Sequence, residues 1–152
     1  MTTFTLVGAN TDFIGDALFD SGGDVNVNLI SNTGTVVTLL NPENGLTTTL
    51  TGSGFQFAGT PGNEVPVAGT INSISISSNN NTFLEGSVTG ISWGLVAFSQ
   101  ALDATSSNNL QPLADLFNSG GPITFDAENA QAGLDMGDLL DNEFANLFTQ
   151  PV

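Results

Sequence analysis

Up to Gly90 the chain is built of short stretches in which apolar and small polar residues alternate; beyond it, apolar residues recur at a period near 3.6. The first stretch, TFTLV at 3–7, is β-branched and aromatic and reads as a strand. Phe13, Ile14, Ala17 and Leu18 then recur at helical spacing, with Asn10 or Thr11 placed to cap and Gly22-Gly23 placed to stop the helix. In DVNVNLI, Val25, Val27 and Leu29 alternate with asparagines, which predicts a strand with one wet face. TVVTLL follows the SNTG turn and runs into Asn44-Gly45, a strong hairpin signal. The return stretch, LTTTLTGSGFQF, carries Leu46 and Leu50 in one phase and Phe55 and Phe57 in the other, so a bulge is expected at Gly52 or Gly54. GTPGNEVP is a loop, and VAGTINSISIS, with Ile74 and Ile76 inward, pairs through an asparagine turn with TFLEGSVTGI.

After Gly90, Ser92 can cap a helix in which Leu95, Phe98 and Leu102 share a face and Trp93 anchors the first turn. A second helix is predicted by Leu110, Leu113, Leu116 and Phe117, ending at Gly120-Gly121 before the short strand PITFD. A third pattern runs from Asp135 to Phe148 through Leu139, Leu140, Phe144 and Leu147. Together these predict one domain over residues 1–152 of the α+β class, an antiparallel sheet of about six strands with about three to four helices packed on one face.

Composition narrows the chemistry sharply. There is no Lys, Arg, His, Cys or Tyr, and fifteen carboxylates leave a net charge of -15 with no side-chain counter-ion. Each carboxylate must be solvated, hydrogen-bonded or bound to an external cation. Nucleic acid and anionic membrane surfaces, which are held through Lys and Arg, are excluded as direct partners. Zinc and haem lack their usual His, Cys and Tyr ligands, and no nucleotide-binding glycine motif is present. Serine or cysteine nucleophiles lack a histidine base, which leaves only a carboxylate pair drawn from Glu43, Glu64 and Glu85, without a ring of aromatics to hold a sugar. A non-enzymatic protein is therefore expected.

Calcium is the cation that carboxylates and asparagine amides suit. Asp12, Asp16 and Asp20 fall at i, i+4 and i+8 of the first helix, with Asp24 beyond; Asp135, Asp138, Asp141 and Glu143 form a second group. Both groups read first as solvated acidic faces and only second as calcium sites, since no DxDxDG loop is present. Strand addition is a second open route: TTFTLV could pair with the sheet edge of a neighbouring copy, or within its own sheet. The N-terminus has neither the basic nor the apolar region of a cleaved export signal, which leaves residues 135–152 as a candidate C-terminal one.

Between residues 68 and 126 the order AGTINSISIS, VTGISWGL, then VAFSQALDATSSNNLQPLADLFNSGGPITFD is similar to the core of the HasA-type secreted haemophores. The resemblance implies a curved antiparallel sheet backed by helices and type I export from a Gram-negative bacterium through an uncleaved C-terminal signal. Haem ligation in that family uses His and Tyr, which this chain lacks, so no ligand residue carries over. The leading expectation is a secreted structural protein that self-assembles outside the cell into a filament, sheet or biofilm matrix, with Ca²⁺ screening its charge. The alternative is a monomeric extracellular ligand-binding or adhesin module on the same scaffold.

The charge itself generates a prediction. The isoelectric point is about 4.1, so repulsion between copies fades as the carboxylates protonate. We expect light scattering from a dilute solution to stay low above about pH 6 and to rise steeply as the pH approaches 4.1.

Overall fold

The apolar residues of successive strands fall into register across one sheet. The computed structural model describes residues 1–8, 13–78 and 83–128. Its elements are β1 (Thr2–Leu6), α1 (Phe13–Leu18), β2 (Asn28–Asn32), β3 (Val36–Leu40), β4 (Thr47–Ala58) and β5 (Val65–Ser78). They continue as β6 (Phe83–Thr89), β7 (Trp93–Gly94), α2 (Leu95–Ser106), α3 (Gln111–Asn118) and β8 (Ile123–Asp126). The sheet order is β2-β3-β4-β5-β6-β1-β8, with β7 pairing β5 alongside that path.

Because side chains alternate along a strand, pairing register decides which residues share a face. Val37, Leu50, Ile74, Val88, Phe4 and Phe125 form one row from β3 to β8. Leu29, Leu39, Thr48, Ile76, Gly86 and Leu6 form the next row on the same face. The row between them points the other way and is almost wholly hydroxyl: Ser31, Thr38, Thr49, Ser75, Ser87, Thr5 and then Asp126. Threonine suits that outer face because its branched Cβ fits the pleat while its hydroxyl meets water or a cross-strand neighbour.

The described helices back the apolar face. Gly86 lets α1 approach: a Cβ there would lie 2.7–2.9 Å from atoms of the Phe13 ring. Phe98 of α2 and Phe117 of α3 extend a chain of aromatic contacts from the sheet. Phe125 stacks on Phe4 at 5.3 Å, Phe4 meets the Phe117 ring at 5.6 Å and 84°, Phe117 meets Trp93 at 5.4 Å, and Trp93 stacks on Phe98 at 5.9 Å. Contacts of this kind add about 0.5–1.5 kcal/mol each beyond burial. Among the described residues no helix is long and apolar enough to cross a membrane.

The mixed α/β class, the one-sided helices, the Asn44-Gly45 hairpin and the Gly52 bulge match the expectation from sequence. The pairing register shifts at Thr51/Gly52, and Gly52 lies too close to the Thr70 carbonyl to admit a side chain.

Other features differ. Among the described residues the sheet has eight strands rather than about six, and it is mixed, because β1 runs parallel to β8. β1 lies between β6 and β8, so its own sheet takes the strand that could have been lent to a neighbour. Trp93 belongs to β7 rather than to a helix turn, and α2 starts after Gly94 with no side-chain cap from Ser92. α1 stops at Leu18, and β2 begins only at Asn28, with a single Phe19–Val25 bridge before it. The Asp20 carboxylate accounts for this, accepting the N–H groups of Gly22 and Asp24 at 2.8 and 3.0 Å and folding the chain into a turn. The third helical pattern, from Asp135 onward, lies outside the described residues.

One buried side chain ties α1 to the hairpin. Asn41 is fully buried; its Nδ2 donates to the carbonyls of Asp16 and Phe19 at 3.0 and 3.1 Å, and its Oδ1 accepts from Glu43 N–H at 2.9 Å. It thereby satisfies carbonyls that the end of α1 leaves open. Replacing Asn41 with Ala takes this donor from the Phe19 carbonyl and the acceptor from Glu43 N–H, while Asn44 still donates to the Asp16 carbonyl at 2.6 Å, and we expect a loss of about 1–3 kcal/mol in urea unfolding. Thr48 offers the opposite case, since its Oγ1 is buried with no hydrogen-bond partner among the described residues. Thr48→Val keeps the shape and removes the desolvated hydroxyl, so a gain of about 1 kcal/mol is expected, read as a rise of about 3 °C in the thermal midpoint.

Candidate functional site

The helical face of α2 places Leu95, Phe98 and Leu102 toward the sheet, with Ser99 beside them. α2 packs over β5 and β7, near the middle of the sheet. Toward the β2 edge the apolar rows continue: Val37 and Leu50 belong to the first, Leu29 and Leu39 to the second. The space between them and α2 is a cavity of about 280 Å³.

Its far wall is Val25 and Val27, from the segment that leaves the sheet before β2, together with Asn28. That segment is pinned to the end of α2, where Val25 N–H donates to Ser106 Oγ at 3.0 Å. At the opposite end lie Phe57 of β4, Pro66 of β5 and the intervening loop, represented by Gly62 and Glu64. The lining is mostly aliphatic and aromatic, and among the described residues only two charged side chains reach it, Glu64 and Asp103. Glu64 is half-buried and one of its oxygens accepts Gly62 N–H at 2.9 Å; Asp103 is exposed on α2, next to Leu102. An apolar concavity with few, localised polar groups is the ordinary form of a small-molecule site.

The carboxylates singled out in the sequence lie elsewhere. Asp16 is exposed on α1, Asp20 is engaged in its own turn and Asp24 is exposed at the end of that turn. The helical stack of Asp12, Asp16 and Asp20 does not extend to Asp20, because α1 ends two residues earlier. Among the described residues no three carboxylates gather into a group that could hold a metal ion. Asp12, Asp135, Asp138, Asp141 and Glu143 lie outside the described residues.

Of the acids considered for a carboxylate pair, Glu43 accepts Ser21 N–H at 3.1 Å beside the β3–β4 turn, and Glu85 lies half-buried in β6 against Gly8. Of the three, Glu64 alone reaches the cavity. Ser99 and Asp103 were not legible as site residues. The signal for them is faint: both sit on α2 beside the Leu95–Phe98–Leu102 stripe, at the margin where the helix turns toward solvent.

Neither family models, nor curated proteins, nor solved structures match this chain in comparison searches.

Proposed function

We propose that this chain is an extracellular, non-enzymatic binding module that holds a small apolar ligand between α2 and the β2–β4 end of the sheet. The observation that carries this reading is the 280 Å³ cavity lined by Leu29, Leu39, Leu50, Phe57, Phe98 and Leu102. Its size suits a ligand with on the order of nine non-hydrogen atoms, at about 30 Å³ for each water-sized group. Composition supports binding over catalysis, since the chain has no histidine, cysteine or basic residue to pair with its carboxylates. The haemophore-like scaffold belongs to the same proposal. The order β5, β6, β7, α2, α3, β8 across residues 65–126 supports it, and the missing His and Tyr remove haem as the ligand. Export through a C-terminal signal is the corresponding route.

Self-assembly is the second reading, and one observation favours it. β2 ends the sheet order, and Ile30 on it is 57% exposed with no Lys or Pro on the strand to discourage pairing. Association there must overcome the repulsion between copies of charge -15, which is where Ca²⁺ or high salt would act by screening.

Trp93 provides the readout, as the single tryptophan and a stacking neighbour of Phe98 in the cavity wall. Titration with 1-octanol is expected to change its emission saturably with 1:1 stoichiometry. Ser99→Phe, which fills the cavity from a half-buried position, should abolish the change while leaving the thermal midpoint within about 2 °C. A linear, non-saturating response in the native chain sinks the proposal. Polymers seen by negative-stain microscopy in millimolar Ca²⁺ would move the weight to self-assembly.

A further inference from the structure

The cavity walls are apolar, yet both charged side chains that reach them carry the same sign, and the whole sequence contains no cationic side chain to answer them. Resting on the binding reading above, we infer that the ligand is a cationic amphiphile: an apolar body of about eight carbons ending in a protonated amine that pairs with the carboxylates lining the cavity, Glu64 and Asp103.

Charge complementarity sets the ligand's class. An apolar chain gains by leaving water for the space between Phe57, Leu39 and Phe98, whatever its head group. The head group decides the rest. Asp103 is exposed and Glu64 half-buried, so each keeps contact with water. Glu64 is held by the Gly62 N–H through one oxygen, which fixes the carboxylate and leaves its second oxygen to accept from a donor. A carboxylate head meets two like charges there and an alcohol gains at most a hydrogen bond. An ammonium gains a charge-assisted hydrogen bond and loses little hydration beside carboxylates that themselves keep contact with water. The two carboxylates come from different elements, the β4–β5 loop and α2, so each element offers the head group an acceptor of its own.

The general field of a chain with charge -15 also attracts cations, and the experiment must separate that field from the two lining carboxylates. At about 0.15 M salt, where exposed charges are screened beyond roughly 8 Å, Trp93 emission or calorimetry is used to titrate n-octylamine, 1-octanol and octanoate. We expect octylamine to bind at least tenfold more tightly than octanol, and octanoate more weakly than octanol. The double variant Glu64→Gln/Asp103→Asn should bind octylamine no better than octanol while its octanol affinity is unchanged, because the introduced glutamine amide retains an acceptor for Gly62 N–H. Asp103→Asn alone, at an exposed helix position, should lower the preference several-fold. The control Asp115→Asn/Glu128→Gln removes the same charge at exposed positions outside the cavity lining and should keep the full preference.

Equal affinity for amine and alcohol in the native chain, or a preference that survives Glu64→Gln/Asp103→Asn, overturns the inference while leaving an apolar site in place. Equal loss in the control assigns the preference to the overall field and overturns it as well. Absence of saturable octanol and octylamine binding removes the binding reading and this inference together.

Discussion

The structure depends on the register that brings Val37, Leu50, Ile74, Val88, Phe4 and Phe125 side by side. With side chains alternating every residue, that one alignment commits a whole face of the sheet to apolar contact and the other to serine and threonine. A slip of one residue in any pair would turn hydroxyls into the core and leucines into water. The helices follow from it, since an exposed face of this kind must be covered. Phe13, Phe98 and Phe117 supply the cover, with Gly86 making room for the first and the Trp93 ring joining the other two.

Uncompensated charge is the second constraint, and it shapes how the fold is held. Among the described residues the buried polar side chains are Thr2, Asn41, Thr47 and Thr48, with no carboxylate among them. A buried carboxylate would need a cationic partner that the chain does not possess. Asparagine takes over the long-range polar links that ion pairs supply elsewhere. Asn41 and Asn44 both donate to the Asp16 carbonyl, and Asn32 reaches the Phe55 carbonyl across 23 positions of chain. Some carboxylates serve turns, as at Asp20 and Glu43, and two line the cavity, Glu64 and Asp103.

Much of the fold was legible because its signals are local. The alternation in NSISIS, the Asn44-Gly45 turn and the Leu95–Phe98–Leu102 stripe each act within a few residues, and the strands and helix they predict are present. Where the reading failed, a distant or competing interaction intervened. Val25 and Val27 alternate like strand residues, but the Asp20 turn and the Ser106 hydrogen bond draw them away from the sheet. Trp93 looked like the first turn of a helix, yet pairing with Ile71 holds it extended. The cavity was least visible, because it is a space between elements far apart in the chain, bounded by α2, the loop before β5 and the detour before β2.

The sequence by itself determined the class of element at most stretches, the wet and dry faces of the strands and side-chain charge of one sign only, because period and charge are properties of neighbouring residues. It also determined what chemistry is absent from the side chains. Only the tertiary structure decided that β1 enters the sheet between β6 and β8, parallel to the latter, and that Glu64 and Asp103 line one cavity. Alternation states which side of a strand is dry, but not which strand lies beside it. That choice is made by contacts between residues more than a hundred positions apart, such as Phe4 with Phe117 and Phe125.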